Sequence, residues 1–372
     1  MKKTKIYSAL GIMTGTSMDG IDLSLINTDG KSYVRVINEK NYQYSHKLQI
    51  QFKKIMNNKK NMNNINDYFI KYDDKVTKII IKYINKFIKE FKIKNTKIDL
   101  ISLSGQTFYH NPKKKISIQL GSSKKICNYF KINTISDFRK NDIKNGGQGA
   151  PIGTYYHKFL LKKIDTKAMI INFGGVSNFT MMHNKKLYSS DIGPANSLSD
   201  DLTFKFYKQK YDNNGKFALL GKPNVKIIKK FSNDNFFKIN FPKSIDRNHF
   251  KKYYNLLSKL NKNDAICTAN HLVIKSVEIL LNKKNFNHIN KIIITGGGRK
   301  NKYLINHLIK SLSNLKIHIV DEFGFNGDLI ESQMFGYIGV RSYKNMIISS
   351  PHTTGVKKSI SGGILYKTPI RD

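Results

Sequence analysis

Gly15, Thr16, Ser17, Met18, Asp19 and Gly20, with Ile21 and Asp22 directly after them, place two glycines, two hydroxyls and two carboxylates within eight positions. That combination suits a phosphate group. Glycine admits left-handed backbone angles and close ligand approach, the hydroxyls donate, and successive N–H groups of such a turn form a nest for an anion. Asp19 or Asp22 can hold Mg2+ through water, since this ion keeps several waters and needs only one or two protein carboxylates. Taken alone, a turn of this composition is as readily an ordinary hairpin tip.

Three further glycine turns each follow an apolar run. The first holds Gly174, Gly175 and Asn178 after residues 168–173, and reads as a second phosphate loop between two strands. In the second, Asp191, Gly193, Pro194 and Asn196 close a strand, and residues 196–199 are placed to cap a helix over residues 200–207. A carboxylate at a strand end beside a helix start is a good catalytic position. The third is the triplet Gly296, Gly297 and Gly298, between a strand over residues 291–295 and a helix over residues 301–312. A flat aromatic ring can pack against so bare a backbone.

An early phosphate hairpin, a second in mid-chain and a glycine-rich strand-to-helix turn later on form a layout that resembles the actin, sugar kinase and Hsp70 superfamily. Within it, five stretches resemble the anhydro-N-acetylmuramic acid kinase family. These are residues 15–22; Gly105, Gln106 and Thr107; Gly146, Gly147, Gln148, Gly149, Ala150 and Pro151; Gly174, Gly175 and Asn178; and Asp191, Gly193, Pro194 and Asn196. The likeness continues through Gly296, Gly297, Gly298 and Asn301, then Glu331 and Phe335, to Thr354, Gly355, Gly362 and Gly363. It therefore reaches from residue 11 to residue 363.

The resemblance implies an enzyme that uses ATP and water to convert 1,6-anhydro-N-acetylmuramic acid into N-acetylmuramic acid 6-phosphate and ADP, in peptidoglycan recycling and amino-sugar catabolism. Water must attack C1 from the face opposite the departing O6, with inversion. Because O6 is captured by the γ-phosphoryl group, one catalytic carboxylate can suffice where an inverting glycosidase needs two. The family pattern gives that base as Asp191, whose competing role is turn chemistry before Gly-Pro. Glu331 is a second candidate for holding the water, against a solvated or capping role on a helix over residues 328–343. Residues 15–22, Gly174, Gly175, Asn178, Gly296, Gly297 and Gly298 are then expected to bind ATP, with Mg2+ at Asp19 and Asp22. Gln106, Thr107, Arg139, Asp142, Gly147, Gln148 and Asn196 are expected on the sugar. Arg139 suits the lactyl carboxylate because a guanidinium fork matches a bidentate partner. Three residues depart from the family pattern: Ser104 for His, Ile192 for Thr and Ala195 for Gly. The φ of Ala195 must stay negative to avoid strain.

To position these turns, the sequence predicts an α/β protein of two lobes, each on a mixed sheet of ribonuclease H type, in an actin-like ATPase fold with a central cleft for nucleotide and substrate. The expected boundaries are residues 1–134 plus 339–372 for the first lobe and 135–338 for the second. Residues 215–262 are rich in Lys, Asn and Phe with breaks at Gly221, Pro223 and Pro242, which predicts an excursion without an assigned role.

Composition excludes several classes. Two cysteines, Cys127 and Cys267, without CxxC spacing, exclude a disulfide framework or a zinc module. The apolar runs are all shorter than the roughly 20 residues needed to span a bilayer, and no signal peptide opens the chain; a cytoplasmic protein is expected. The net charge of +40 suits a polyanion, yet the lysines are scattered through residues 53–97, 158–186 and 222–262, without an arginine-rich block. Weak nonspecific nucleic-acid binding at low salt is expected, and no specific site. Partners are ATP and a small sugar, with a homodimer as the family's implied state. Two rivals remain. Another sugar or small-acid kinase of the superfamily has no reason to carry residues 146–151 and 191–196, and a non-catalytic nucleotide switch would need a peptide- or DNA-binding appendage that the sequence lacks.

Overall fold

The computed structural model describes residues 5–15, 18–57, 65–245, 247–283 and 286–368, so Thr16 and Ser17 of the first turn lie outside the described residues. The chain divides into two compact units, one of Met1–Tyr156, Leu329–Pro351 and Gly355–Asp372, the other of His157–Asp328 and His352–Thr354.

The first unit opens with an antiparallel meander of β1 (Tyr7–Thr14), β2 (Gly20–Thr28) and β3 (Val34–Gln43). After helices α1 (His46–Asn57) and α2 (Ile65–Glu90), strand β4 (Leu100–Leu103) pairs parallel to β1. A small hairpin of β5 (Gln106–Asn111) and β6 (Ile116–Leu120), helix α3 (Ser123–Phe130), strand β7 (Thr134–Ser136) and helix α4 (Phe138–Lys144) follow. The sheet order is β3-β2-β1-β4-β7, edged by the C-terminal strand Ile364–Tyr366.

One face of this sheet is covered by α2, whose Val76, Ile80, Ile84 and Phe87 recur at helical spacing and pack with Leu10, Ile12, Leu23 and Leu103. Helix α5 (Thr154–Ile164) begins in this unit and runs into the second.

The second unit repeats the plan. Strands β8 (Ala168–Phe173), β9 (Val176–His183) and β10 (Lys186–Pro194) form a meander, and helix α6 (Asn196–Tyr207) leaves its end. Helices α7 (Val225–Ser232), α8 (Lys251–Leu257) and α9 (Lys262–Leu281) precede β11 (Lys291–Thr295), which runs parallel to β8. Helix α10 (Lys302–Ser311) and strand β12 (Lys316–Ile319), parallel to β11, complete the order β10-β9-β8-β11-β12. Meander first, two parallel strands after: both sheets follow the ribonuclease H-type plan expected from the sequence. Residues 215–262 are no appendage, because Phe231, Phe236, Phe250, Tyr253 and Leu257 pack with Leu202 of α6 and Leu272 of α9 in a core of their own.

The last helix, α11 (Ile330–Tyr343), belongs to the first unit and covers the other face of its sheet. Its Ser332, Gly336 and Gly339 lie on Gly11, Ser24 and Ser102 of the sheet. Ser24 and Ser332 share a hydroxyl hydrogen bond of 2.6 Å, and the Ser102 hydroxyl donates to the Phe335 carbonyl at 2.5 Å. Among the described residues no helix is long and apolar enough to cross a membrane.

Candidate active site

In the second unit the expected catalytic turn begins at an irregularity in β10. Asp191 pairs with Asn178, and Gly193 pairs with Ser177, so Ile192 is an extra residue that turns into the core beside Met169 and Phe179. A bulge of this kind re-aims the neighbouring side chain. It also explains why Ile is tolerated at 192: the position faces the interior and is 2% exposed. Directly paired residues share a sheet face, and the register continues from Asn178 to Asn172 on β8 and from Asn172 to Thr295 on β11. Asp191, Asn178, Asn172 and Thr295 thus form a polar row across four strands. The Thr295 hydroxyl reaches Asn172 Oδ1 at 3.4 Å.

Asp191 is 7% exposed, and its Oδ2 accepts the Ile245 N–H at 2.8 Å. Its own N–H donates to the Lys243 carbonyl at 3.0 Å. The carboxylate is therefore held by main chain from more than fifty positions away, which sequence spacing did not indicate. Helix α6 starts at Asn196, four residues earlier than expected, with Ala195 as its N-cap. Its φ of −132° is negative, as the substitution for glycine demands.

The glycine turns of this unit come together around Asn196. The Asn196 and Ser197 N–H groups donate to Gly174 and Gly175, and the Asn196 side-chain amide donates to the Phe173 carbonyl at 3.0 Å. A Cβ on Gly298 would sit 2.6 Å from Phe173 Cβ and 2.7 Å from Asn196 Oδ1. Gly296 has φ of +78°, and a Cβ there would sit 2.7 Å from the Phe173 carbonyl oxygen. Those two glycines are demanded by the fold. Gly174, Gly175 and Gly297 are not. Their φ lies outside the left-handed region, and a Cβ would find its nearest neighbour at 3.6, 3.9 and 3.5 Å. Backbone that carries no side chain where the fold would admit one is the form a phosphate cradle takes. Gly175→Ala is accordingly expected to melt within about 1 kcal/mol of the parent while ATP binding, followed by calorimetric titration, weakens by at least about tenfold. Unchanged ATP affinity would remove Gly175 from the nucleotide site.

Arg299, which follows the triplet, is buried and donates from Nη1 to the Gly296 carbonyl at 3.1 Å. Its Nε and Nη2 engage Asp321, and Nη2 also engages Asp328 at 2.9 Å. Asn301 caps α10 through the Leu304 N–H at 3.1 Å.

The first unit holds the hairpin tip. Met18 takes φ of +56°, its N–H donates to Gly15 at 3.2 Å, and Tyr44 N–H donates to the Asp19 carbonyl at 2.8 Å. Ile21 is wholly buried, so only its main chain faces the turn. A Cβ on Gly20 would sit 2.7 Å from the Tyr42 carbonyl oxygen, so the sheet itself requires that glycine. The Gln106 side chain, 1% exposed, donates to the Gly15 carbonyl at 3.1 Å, and the Ser104 hydroxyl accepts the Thr14 N–H at 3.1 Å. Ser104, unassigned from sequence, thus braces the first hairpin; the signal was its place at the end of β4, which pairs beside β1.

Asp19 is exposed and Asp22 half-buried, with Asp22 Oδ1 accepting from Asn41 at 2.6 Å. Both share one neighbourhood, since Tyr44 is pushed upward by burial and then by the charges of Tyr83, Asp22 and Asp19. Two nearby carboxylates with no third acid or histidine grouped with them among the described residues fit an ion held largely through water.

Arg139 and Asp142 lie on helix α4, in a stretch whose polar residues and glycines suit turns; burial of Phe138 and Ile143 stabilises the helix. Asp142 is 1% exposed and accepts the Gly149 N–H at 2.6 Å, while a Cβ on Gly147 would run into its carboxylate. Arg139 Nη1 donates to the Gly149 carbonyl at 3.0 Å, so the two side chains shape the loop that carries Gly147 and the half-buried Gln148. Glu331, in the first turn of α11, has its carboxyl raised by burial, with the charge of Arg139 opposing the rise. Thr107 is half-buried where β5 and β6 lose register.

The sequence profile described as anhydro-N-acetylmuramic acid kinase matches residues 7–368. An anhydro-N-acetylmuramic acid kinase of Pelagibacter ubique is 35% identical over 98% of this chain and 99% of its own. Those of Bradyrhizobium diazoefficiens and Sulfurimonas denitrificans are 29% and 30% identical, over 97% and 95% of this chain and 100% and 98% of theirs.

Proposed function

The chain belongs to the anhydro-N-acetylmuramic acid kinase family, and from that premise we propose that Asp191 is the base that activates water against C1 of 1,6-anhydro-N-acetylmuramic acid. The enzyme is an ATP-dependent kinase of that class. In the proposed reaction a proton passes from water to the Asp191 carboxylate as the new C1–O bond forms. The C1–O6 bond breaks with inversion, and O6 takes the γ-phosphoryl group of ATP, leaving ADP.

The observation that carries this reading is a carboxylate fixed by main chain at a bulge, in one polar row with Asn178 and Asn172, beside glycines that the fold does not itself require. Gly174, Gly175 and Gly297, with Gly296 and Gly298 that the fold also demands, are assigned to the nucleotide, as are residues 15–22. Asp19 and Asp22 would hold Mg2+ through water, and that ion would offset charge on the phosphates. Arg139 is assigned to the lactyl carboxylate, Gln106, Thr107, Gln148 and Asn196 to polar groups of the sugar, and Asp142 and Gly147 to the shape of the loop. Glu331 orients the water. A strongly basic chain also draws an anionic sugar and ATP toward it. The substrate class and the use of ATP support a cytoplasmic activity.

The test is MgATP and 1,6-anhydro-N-acetylmuramic acid in oxygen-18 water, with ADP and product mass followed. The expected product is the sugar 6-phosphate carrying one heavy oxygen at C1. Unlabelled product, or ADP without phosphorylated sugar, would overturn the coupled reaction.

A further inference from the structure

Lys243 has entered the site so far only through its main-chain carbonyl, yet the residue is 6% exposed, an unusual place for an ammonium group. Its Nζ donates to the carbonyls of Phe236 and Ile239, the latter at 3.2 Å, and lies 3.8 Å from the centre of the Phe236 ring. The main chain around it is bound to β10 on both sides. The Lys243 N–H donates to the Ser190 hydroxyl at 3.0 Å, and the Lys243 carbonyl accepts from the Ser190 hydroxyl and the Asp191 N–H, each at 3.0 Å. Two residues on, Ile245 N–H holds the Asp191 carboxylate.

We propose that Lys243 is a positioning residue for Asp191. Its ammonium gathers the carbonyls of residues 236 and 239, closing residues 236–243 into a rigid strap whose far end presents main-chain groups to both the backbone and the carboxylate of Asp191. The chemistry favours an ammonium here: two carbonyls and an aromatic face are all negative, and they compensate a desolvated cation where an uncharged chain would leave both carbonyls unpaired. The far side of the strap is anchored separately. Asp234 accepts the Phe236 N–H at 2.9 Å and the Tyr253 hydroxyl at 2.7 Å. Burial, with Lys283 adding like charge and Asp191 opposing, brings the Lys243 ammonium down to about 8.

The inference rests on Asp191 being the base, so the experiment includes Asp191→Asn. kcat and KM for MgATP and for the anhydro sugar are measured on Lys243→Met, Lys243→Arg and Asp191→Asn, each normalised to the folded fraction by circular dichroism. Lys243→Met keeps the apolar stem and is expected to lower kcat by about 10- to 100-fold with both KM values within about threefold, because a slight misplacement of the base affects the chemical step alone. Lys243→Arg, which can still reach the carbonyls, is expected to recover part of the loss. A folded Lys243→Met enzyme with parental kcat overturns the proposal. Should that variant not fold, Ser190→Ala removes the hydroxyl clasp to the same strap, and parental kcat there overturns it equally. An active Asp191→Asn enzyme would instead overturn the assignment of the base, whatever Lys243 does.

Discussion

Replacing Asp191 by Asn is expected to lower kcat by about 10²- to 10⁴-fold, the range general-base help contributes. The change is nearly isosteric. An amide oxygen still accepts the Ile245 N–H, and the main-chain bond to Lys243 is untouched, so the bulge in β10 persists. What disappears is the lone pair that receives the proton of water. ATP affinity should therefore be unchanged, and the melting temperature should fall by only a few degrees. A turn-capping aspartate predicts the opposite pattern, with lower stability and unchanged kcat per folded molecule. Rate measurements beside a thermal melt separate the two, and a drop in kcat of less than about fivefold would remove Asp191 from the role.

Adding a single methyl group at Gly11 should be the most damaging conservative change to the fold. A Cβ there would fall closer than 3.0 Å to the Ser332 carbonyl oxygen and the Gly336 nitrogen, both main-chain atoms of α11. Neither can rotate aside as a side-chain tip would. Helix α11 would have to lift, breaking the Ser24–Ser332 and Ser102–Phe335 hydrogen bonds and exposing its buried face. Overpacking of this sort costs about 3 kcal/mol or more, a fall in melting temperature on the order of 10 °C for a unit of this size. Thermal unfolding of Gly11→Ala measures it. A loss under about 1 kcal/mol would mean that the helix accommodates the methyl by a shift that the packed seam does not suggest.

Much of the molecule was legible before any fold was known, because strand-turn-strand patterns and glycine clusters are local signals. The turns at residues 14–20, 174–175 and 296–298 all fall at strand ends where periodicity placed them. Local signals fail where partners are distant. Asn172 and Thr295 join the polar row only through register between β8, β9 and β11, which no single segment encodes. Ser104 acquires its role from β4 lying beside β1. Helix α4 hid within a turn-rich composition because two buried apolar residues outweighed its polar majority. Lys243 could not be told from dozens of surface lysines until its ammonium was found among carbonyls.

The polar row of the second unit also acts as a ruler. Neighbouring strands in a sheet lie about 4.8 Å apart, so three intervals from Asp191 to Thr295 fix a span of roughly 14 Å that no side-chain substitution can stretch. Loops at the rim can drift in sequence without disturbing that gauge. Moving Asp191 relative to Thr295 would therefore require a strand added or lost, and that change would dismantle the sheet.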